Sequence, residues 1–153
     1  AKRWPAEKFA HLAQMICRDP RARIVLFGSE ADWPTCAEII SRSGPAAPHM
    51  LNLAGATSLI EAMALIGECD VFVTNDSGLM HVAAALHTPL VAIFGSTDHV
   101  ATGPYADNAV VIRKPLPCSP CKKTHCPEKH FRCMQLIDSD EVFAAVNTIL
   151  TQR

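Results

Sequence analysis

The sequence has almost no net charge, no long apolar run and neither common glycine signature for nucleotide phosphates. Each lack removes a class of function. With 14 Lys and Arg against 15 Asp and Glu, the formal net charge is -1, so no basic field advertises a nucleic-acid partner. The longest apolar run, around residues 90–94, follows Pro89 and falls far short of a membrane span. No G-x-G-x-x-G follows the first apolar segment and no P-loop occurs, so neither a dehydrogenase nor a typical NTPase is supported. The opening residues carry no signal-peptide pattern. The chain opens on Ala1 rather than Met, and a fragment or processed domain is expected.

What is present is a globular composition. Of 153 residues, 49% are hydrophobic and 19% charged, enough for one domain with a real core. Seven cysteines are an odd number, and without a secretion signal they argue for a reducing compartment rather than a disulfide framework. Cys17, Cys36 and Cys69 stand singly and are expected to behave as small buried hydrophobes. The other four crowd into "CSPCKKTHCPEKHFRC", residues 118–133.

Along the chain, helical and strand patterns alternate. "WPAEKFAHLAQMIC" puts Phe9, Leu12, Ala13 and Ile16 on one helical face. "RIVLF" is a continuous apolar strand ending at Gly28. "TCAEIISRSG" is a helix that Gly44 can end, and "HMLNLAG" a weaker strand. Ser58 and Glu61 have capping-box spacing ahead of "LIEAMALIGEC". Strands follow at 71–74, Leu90–Phe94 and Ala109–Arg113, with a last helix opened by Asp138 and Glu141. The pattern predicts an α/β fold: a Rossmann-like, doubly wound parallel sheet of five strands, covered on both faces. Ligands of such sheets bind beyond the carboxyl ends of the strands. Three polar exits, at residues 28–32, 75–78 and 95–98, are expected to gather there.

The second exit is the most specific. In "VFVTNDSGLMHVAAAL" a buried strand meets Asn-Asp-Ser-Gly and then a helix. Asp76 and Ser77 are helix-start residues. The first N–H groups of the helix point outward with partial positive charge, which suits phosphate oxygens. His81 falls about one turn inside and can reach the same anion. Asp76 read as a plain cap and His81 as a satisfied core histidine are the competing structural readings.

"KRWP", "FGSEAD", "NLAGATSLIEAMALI", "VTNDSGLMHVAAAL" and "LVAIFGSTD…TGPY" occur in that order. Together they resemble the ADP-heptose:lipopolysaccharide heptosyltransferases of Gram-negative bacteria, and the cysteine stretch before "CMQLI" most resembles heptosyltransferase II sequences. The resemblance implies the C-terminal, nucleotide-sugar-binding domain of a two-domain GT-B glycosyltransferase, spanning residues 1–153 with a Cys-rich loop at 115–134. The N-terminal acceptor domain, and the general base expected in it, have no counterpart here, so no catalytic residue is assigned.

The implied activity is inverting transfer of heptose from ADP-heptose to the lipopolysaccharide inner core, at the cytoplasmic face of the inner membrane. The family pattern maps phosphate and sugar contacts onto Lys2, Asp76, Ser77, Gly78 and His81. Glu30 or Asp32, past the first strand, is expected to take the ribose hydroxyls; Asp32 fits the family spacing slightly better. Residues 53–57 are expected to line an adenine slot through backbone contacts, and Thr97 to meet sugar or phosphate. With no Asp-rich metal motif, transfer without a required divalent ion is expected.

The four clustered cysteines leave several readings open. Cys118, Cys121, Cys126 and Cys133 could hold a structural zinc, with His125 and His130 among them. An iron–sulfur cluster is conceivable on sulfur count, and a Pro-braced loop of free thiols is the plain alternative. The loop is expected to lie outside the three polar exits. Its Lys122, Lys123, Lys129 and Arg132 could instead face a phosphorylated lipid acceptor or a membrane surface. Two other function classes therefore stand beside the enzyme: a nucleotide-sugar-binding module without turnover, and a metal-stabilised interaction domain.

Overall fold

The computed structural model describes residues 2–153. The chain divides into two compact units: one of Pro5–Ala62, the other of Met63–Arg153 with the opening residues through Trp4.

The first unit begins with α1 (Ala6–Ile16), entered from Pro5. Proline suits a helix start, where its missing N–H loses no bond. Ala10, Leu12, Ala13 and Met15 form the buried face. Two short parallel strands follow, β1 (Ile24–Leu26) and β2 (Met50–Asn52), registered Ile24 to Met50 and Leu26 to Asn52. Between them lies α2 (Trp33–Arg42). Gly44, at φ +50°, follows it as the chain turns into a 3₁₀ segment. The boundary between units falls within α3 (Leu59–Gly67). The capping box is present: the Glu61 N–H donates to Ser58 Oγ at 3.1 Å, and that hydroxyl lies 3.1 Å from Glu61 Oε1.

The second unit is built on three parallel strands, β3 (Phe72–Asn75), β4 (Leu90–Phe94) and β5 (Ala109–Arg113), in the order β3-β4-β5. Every residue of β4 is buried, as an apolar run without alternation requires of a central parallel strand. The helices α4 (Gly78–Ala85), α6 (Arg132–Gln135) and α7 (Ser139–Thr151) all pack on it. They supply fully buried Met80, Ala83, Val142 and Val146. A short α5 (His99–Thr102) follows β4.

Three expectations change. The architecture is parallel α/β, but its strands are hydrogen-bonded as a pair and a trio rather than as one five-stranded ladder. In the edge strand β5 only Ile112 is buried, while Val110 and Val111 are exposed. Of the three single cysteines only Cys36 is buried; Cys17 and Cys69 are intermediate.

Candidate functional site

The site in the second unit starts from Trp4. Its side chain is buried, its indole N–H donates to the Ile137 carbonyl at 3.0 Å, and its backbone N–H donates to Asn75 Oδ1 at 3.0 Å. The opening segment is thereby tied to the end of β3, and Lys2 is delivered to the turn that follows. Lys2 Nζ lies 3.3 Å from Asp76 Oδ2, which also accepts from Thr102 Oγ1 at 3.5 Å. The carboxylate is 7% exposed and the lysine side chain 51%. An ammonium has three donors, so Lys2 keeps capacity for a second anion in open solvent.

Asp76 does not cap α4. The cap position belongs to Ser77, which makes no side-chain cap bond; its hydroxyl pairs with Thr74 Oγ1 at 3.1 Å. The first N–H groups of α4 have no carbonyl one turn earlier and face outward. A Cβ built on Gly78 would meet nothing within 4 Å, so the space above this helix start is open. His81 is exposed one turn along α4, and among the described residues its ring has no hydrogen-bond partner. The core-histidine reading is thereby ruled out. Lys2, Asp76, Ser77, Gly78 and His81 thus gather at one strand exit.

Thr97 lies at the neighbouring exit of β4, half-buried. The next residue, Asp98, caps α5, its carboxylate accepting from Val100 N–H at 3.0 Å and Ala101 N–H at 3.4 Å. Those backbone bonds hold its pKa below the ordinary value, with lesser help from Lys122 and His99. Thr102 joins the two exits: its hydroxyl donates to the Asp98 carbonyl at 2.9 Å and reaches Asp76. Sequence reasoning passed Thr102 over, although it opens the Thr-Gly-Pro-Tyr piece of the resemblance. Gly103 beside it is obligatory, since a Cβ there would fall 2.1 Å from the His99 carbonyl oxygen.

Glu30 and Asp32 belong to the first unit. Asp32 Oδ2 accepts from the Ser29 N–H at 2.8 Å and the Ser29 hydroxyl at 2.7 Å, closing a capping box. Glu30 is exposed, and among the described residues its carboxylate has no partner. The 53–57 loop reaches this turn directly: the Gly55 N–H donates to the Gly28 carbonyl at 2.9 Å. At φ +72° a Cβ on Gly55 would meet Glu30 Cα at 2.8 Å, so only glycine permits the approach.

The cysteine loop is not outside the strand exits. The Lys122 N–H donates to the Ser96 carbonyl at 2.7 Å and Ser119 Oγ to the Gly95 carbonyl at 2.5 Å, so the loop docks on the exit of β4. A loop without apolar periodicity needs such anchoring. All seven cysteines are free thiols. Among the described residues, no group of three or more His, Cys, Asp or Glu stands ready-made around a metal position, and no helix is long and apolar enough to cross a membrane.

The model of glycosyltransferase family 9 (heptosyltransferase) matches residues 1–132. Lipooligosaccharide heptosyltransferase 2 of Haemophilus influenzae is 47% identical over 118 residues, 74% of this chain and 33% of that protein. Lipopolysaccharide heptosyltransferase 2 of Escherichia coli is 39% identical over 153 residues, 99% of this chain and 44% of that protein. The solved structure of the Escherichia coli ADP-heptose LPS heptosyltransferase II matches with TM-score 0.85 at 38% identity, over 99% of this chain and 43% of that one. The chain spans less than half the length of these relatives, and its parallel α/β fold is that of the GT-B heptosyltransferase structures. By the family match across residues 1–132 and the identity along its whole length, the chain belongs to glycosyltransferase family 9, the heptosyltransferases.

Proposed function

We propose that this chain is the donor-binding part of a heptosyltransferase that moves heptose from ADP-heptose to the lipopolysaccharide inner core. The observation that carries the reading is the open helix start at Gly78, flanked by the Lys2 ammonium and the unpartnered His81. The family supplies the chemical class, and the Escherichia coli relative of matching fold is an ADP-heptose enzyme.

In the proposed reaction the acceptor hydroxyl attacks the anomeric carbon from the face opposite the diphosphate, inverting the configuration. Negative charge then builds on the departing ADP. Donors already aimed at those oxygens lower the barrier because they need no reorganisation as charge develops. Backbone N–H groups of α4, Lys2 and His81 serve that role, and Asp76 holds Lys2 in place. Glu30, in the first unit, takes the ribose hydroxyls, while the 53–57 backbone receives the adenine. The acceptor groove and general base lie outside these residues, the donor half needs no cofactor for transfer, and the protein works at the cytoplasmic face of the inner membrane. There the exposed Lys122, Lys123, Lys129 and Arg132 suit an anionic surface.

Calorimetric titration with ADP-heptose, ADP and UDP tests the reading. Binding of the two adenine ligands without UDP binding, and no heptose transfer by the chain alone, is expected. Preference for UDP would overturn the donor assignment. Robust turnover would overturn the division of labour and exclude the binding-module reading as well.

A further inference from the structure

The feature the donor site leaves unused is the floor of the cysteine loop. Cys118, Cys121, Cys126 and Cys133 line one cavity together with Ser96 and His130. The cavity measures about 10 Å³ to the centre of a water-sized sphere, room for one small guest. That size admits a single ion and not a multi-iron cluster. Ser96 is 1% exposed, and its hydroxyl is a buried side-chain polar atom with no hydrogen-bond partner. A buried polar group normally has a partner, so this orphan in the cavity wall indicates a guest.

The sulfurs are arranged as ligands would be. The N–H groups of Phe131, His130, Glu128 and Lys129 bond toward Cys126 Sγ, a donor set that favours a thiolate. Burial pushes the Cys133 thiol up, and the other three cysteines are near enough to push it further. Lys122, Lys129 and Phe131 all hold positive φ, between 50° and 56°. Non-glycine residues occupy that region only where surroundings enforce it.

His130 decides the ligand set. The Arg132 N–H donates to His130 Nδ1 at 3.1 Å, so the neutral ring carries its proton on Nε2. Nε2 lies 3.9 Å from Cys118 Sγ and donates toward that sulfur, which makes the ring a support for a thiolate rather than a ligand.

We propose that Cys118, Cys121, Cys126 and Cys133 bind one soft divalent cation, zinc, as a four-thiolate structural site that fixes the loop on the exit of β4. Each thiol gives up its proton to solvent as its sulfur–metal bond forms, and nothing is oxidised or reduced. Sites of this kind close on the metal and are seldom fully formed without it. The exposed Lys122, Lys123, Lys129 and Arg132 offset the negative charge that four thiolates place around one dication. Through the Lys122–Ser96 and Ser119–Gly95 bonds, metal occupancy bears on the segment that carries Thr97 and Asp98.

The test is titration of the reduced chain with Co²⁺, then with Zn²⁺. Saturation at one ion per chain, with intense thiolate-to-cobalt charge-transfer bands and tetrahedral d–d bands that zinc abolishes, is expected. No charge-transfer band at excess Co²⁺ overturns the site, and because this uses the parent chain, a poorly folding cysteine variant cannot obscure the result. His130→Ala should keep the spectrum and one-to-one binding while affinity falls roughly 10–100-fold; a changed ligand-field spectrum would overturn the four-cysteine set. Zinc removal by chelator should speed hydrogen exchange of the Lys122 amide. Unchanged exchange would overturn the structural role.

Discussion

The Trp4 indole donates to the Ile137 carbonyl at 3.0 Å across a sequence separation of 133, and this one buried bond sets where Lys2 stands. Trp4→Phe leaves that carbonyl unsatisfied, at a cost of about 1–3 kcal/mol, and loosens the segment that holds the lysine. Both stability and ADP affinity should fall. Lys2→Ala separates the two effects. Its ion pair with Asp76 is half in solvent and worth at most about 1 kcal/mol, so affinity should fall with little change in unfolding midpoint. Chemical denaturation and calorimetry on both variants check this. Equal ADP affinity in Lys2→Ala and the parent would remove Lys2 from the site.

Gly78→Val places a side chain in space that the protein leaves empty. Only helix propensity opposes it, and β-branching is a small penalty near a helix start, so unfolding free energy should stay within about 1 kcal/mol. Phosphate approach to the N–H groups should be blocked, lowering ADP affinity tenfold or more. If affinity is unchanged, the diphosphate lies elsewhere.

His81→Ala tests a different donor. The ring is exposed and without a partner, so no fold contact is lost. ADP should weaken clearly and adenosine hardly at all, since only ADP carries the diphosphate. Equal losses for both ligands would place His81 near the nucleoside instead.

The donor exit was legible in the sequence because its chemistry is local. Strand, Asp-Ser-Gly turn and helix lie within residues 72–85, and local patterns report local geometry. The role of Asp76 was not legible. Both its partners come from far along the chain, Lys2 and Thr102, so a helix-start carboxylate that reads as a cap is in fact an ion-pair partner. The docking of the cysteine loop on β4 was misjudged for the same reason. Ser119 and Lys122 follow β5 in sequence yet bond to Gly95 and Ser96. The edge position of β5 was also hidden: Val110 and Val111 are as apolar as β4, and only sheet order exposes them.

The Asp98 cap has a defined pH dependence. Backbone N–H bonds, first from Val100, hold its folded pKa below the ordinary value. A depressed carboxylate contributes stability that is present above the unfolded pKa and lost as pH falls through the folded one. The cap on α5, with Thr102 and its contact to Asp76, should therefore persist through mildly acidic solution and release only below the ordinary carboxylate range. NMR titration of the Asp98 carboxyl carbon checks it. A midpoint at or above that of an unstructured Asp peptide would contradict the cap.

Glu30 and Asp32 stand two residues apart and should behave differently when neutralised. Asp32 spends Oδ2 on the Ser29 N–H and hydroxyl; losing such a cap costs about 0.5–2 kcal/mol. Asp32→Ala should therefore lower stability, and affect ligand only as the turn loosens. Glu30 has no such duty, and its backbone is fixed by the close approach of Gly55. Glu30→Gln should leave the unfolding midpoint unchanged while weakening adenosine and ADP alike, because the ribose is common to both. 2′-Deoxyadenosine sharpens the comparison: if Glu30 accepts from the 2′-hydroxyl, the parent should prefer adenosine and Glu30→Gln should lose much of that preference. Should Asp32→Asn, which keeps a capping side chain, erase the preference while Glu30→Gln retains it, the ribose contact belongs to Asp32.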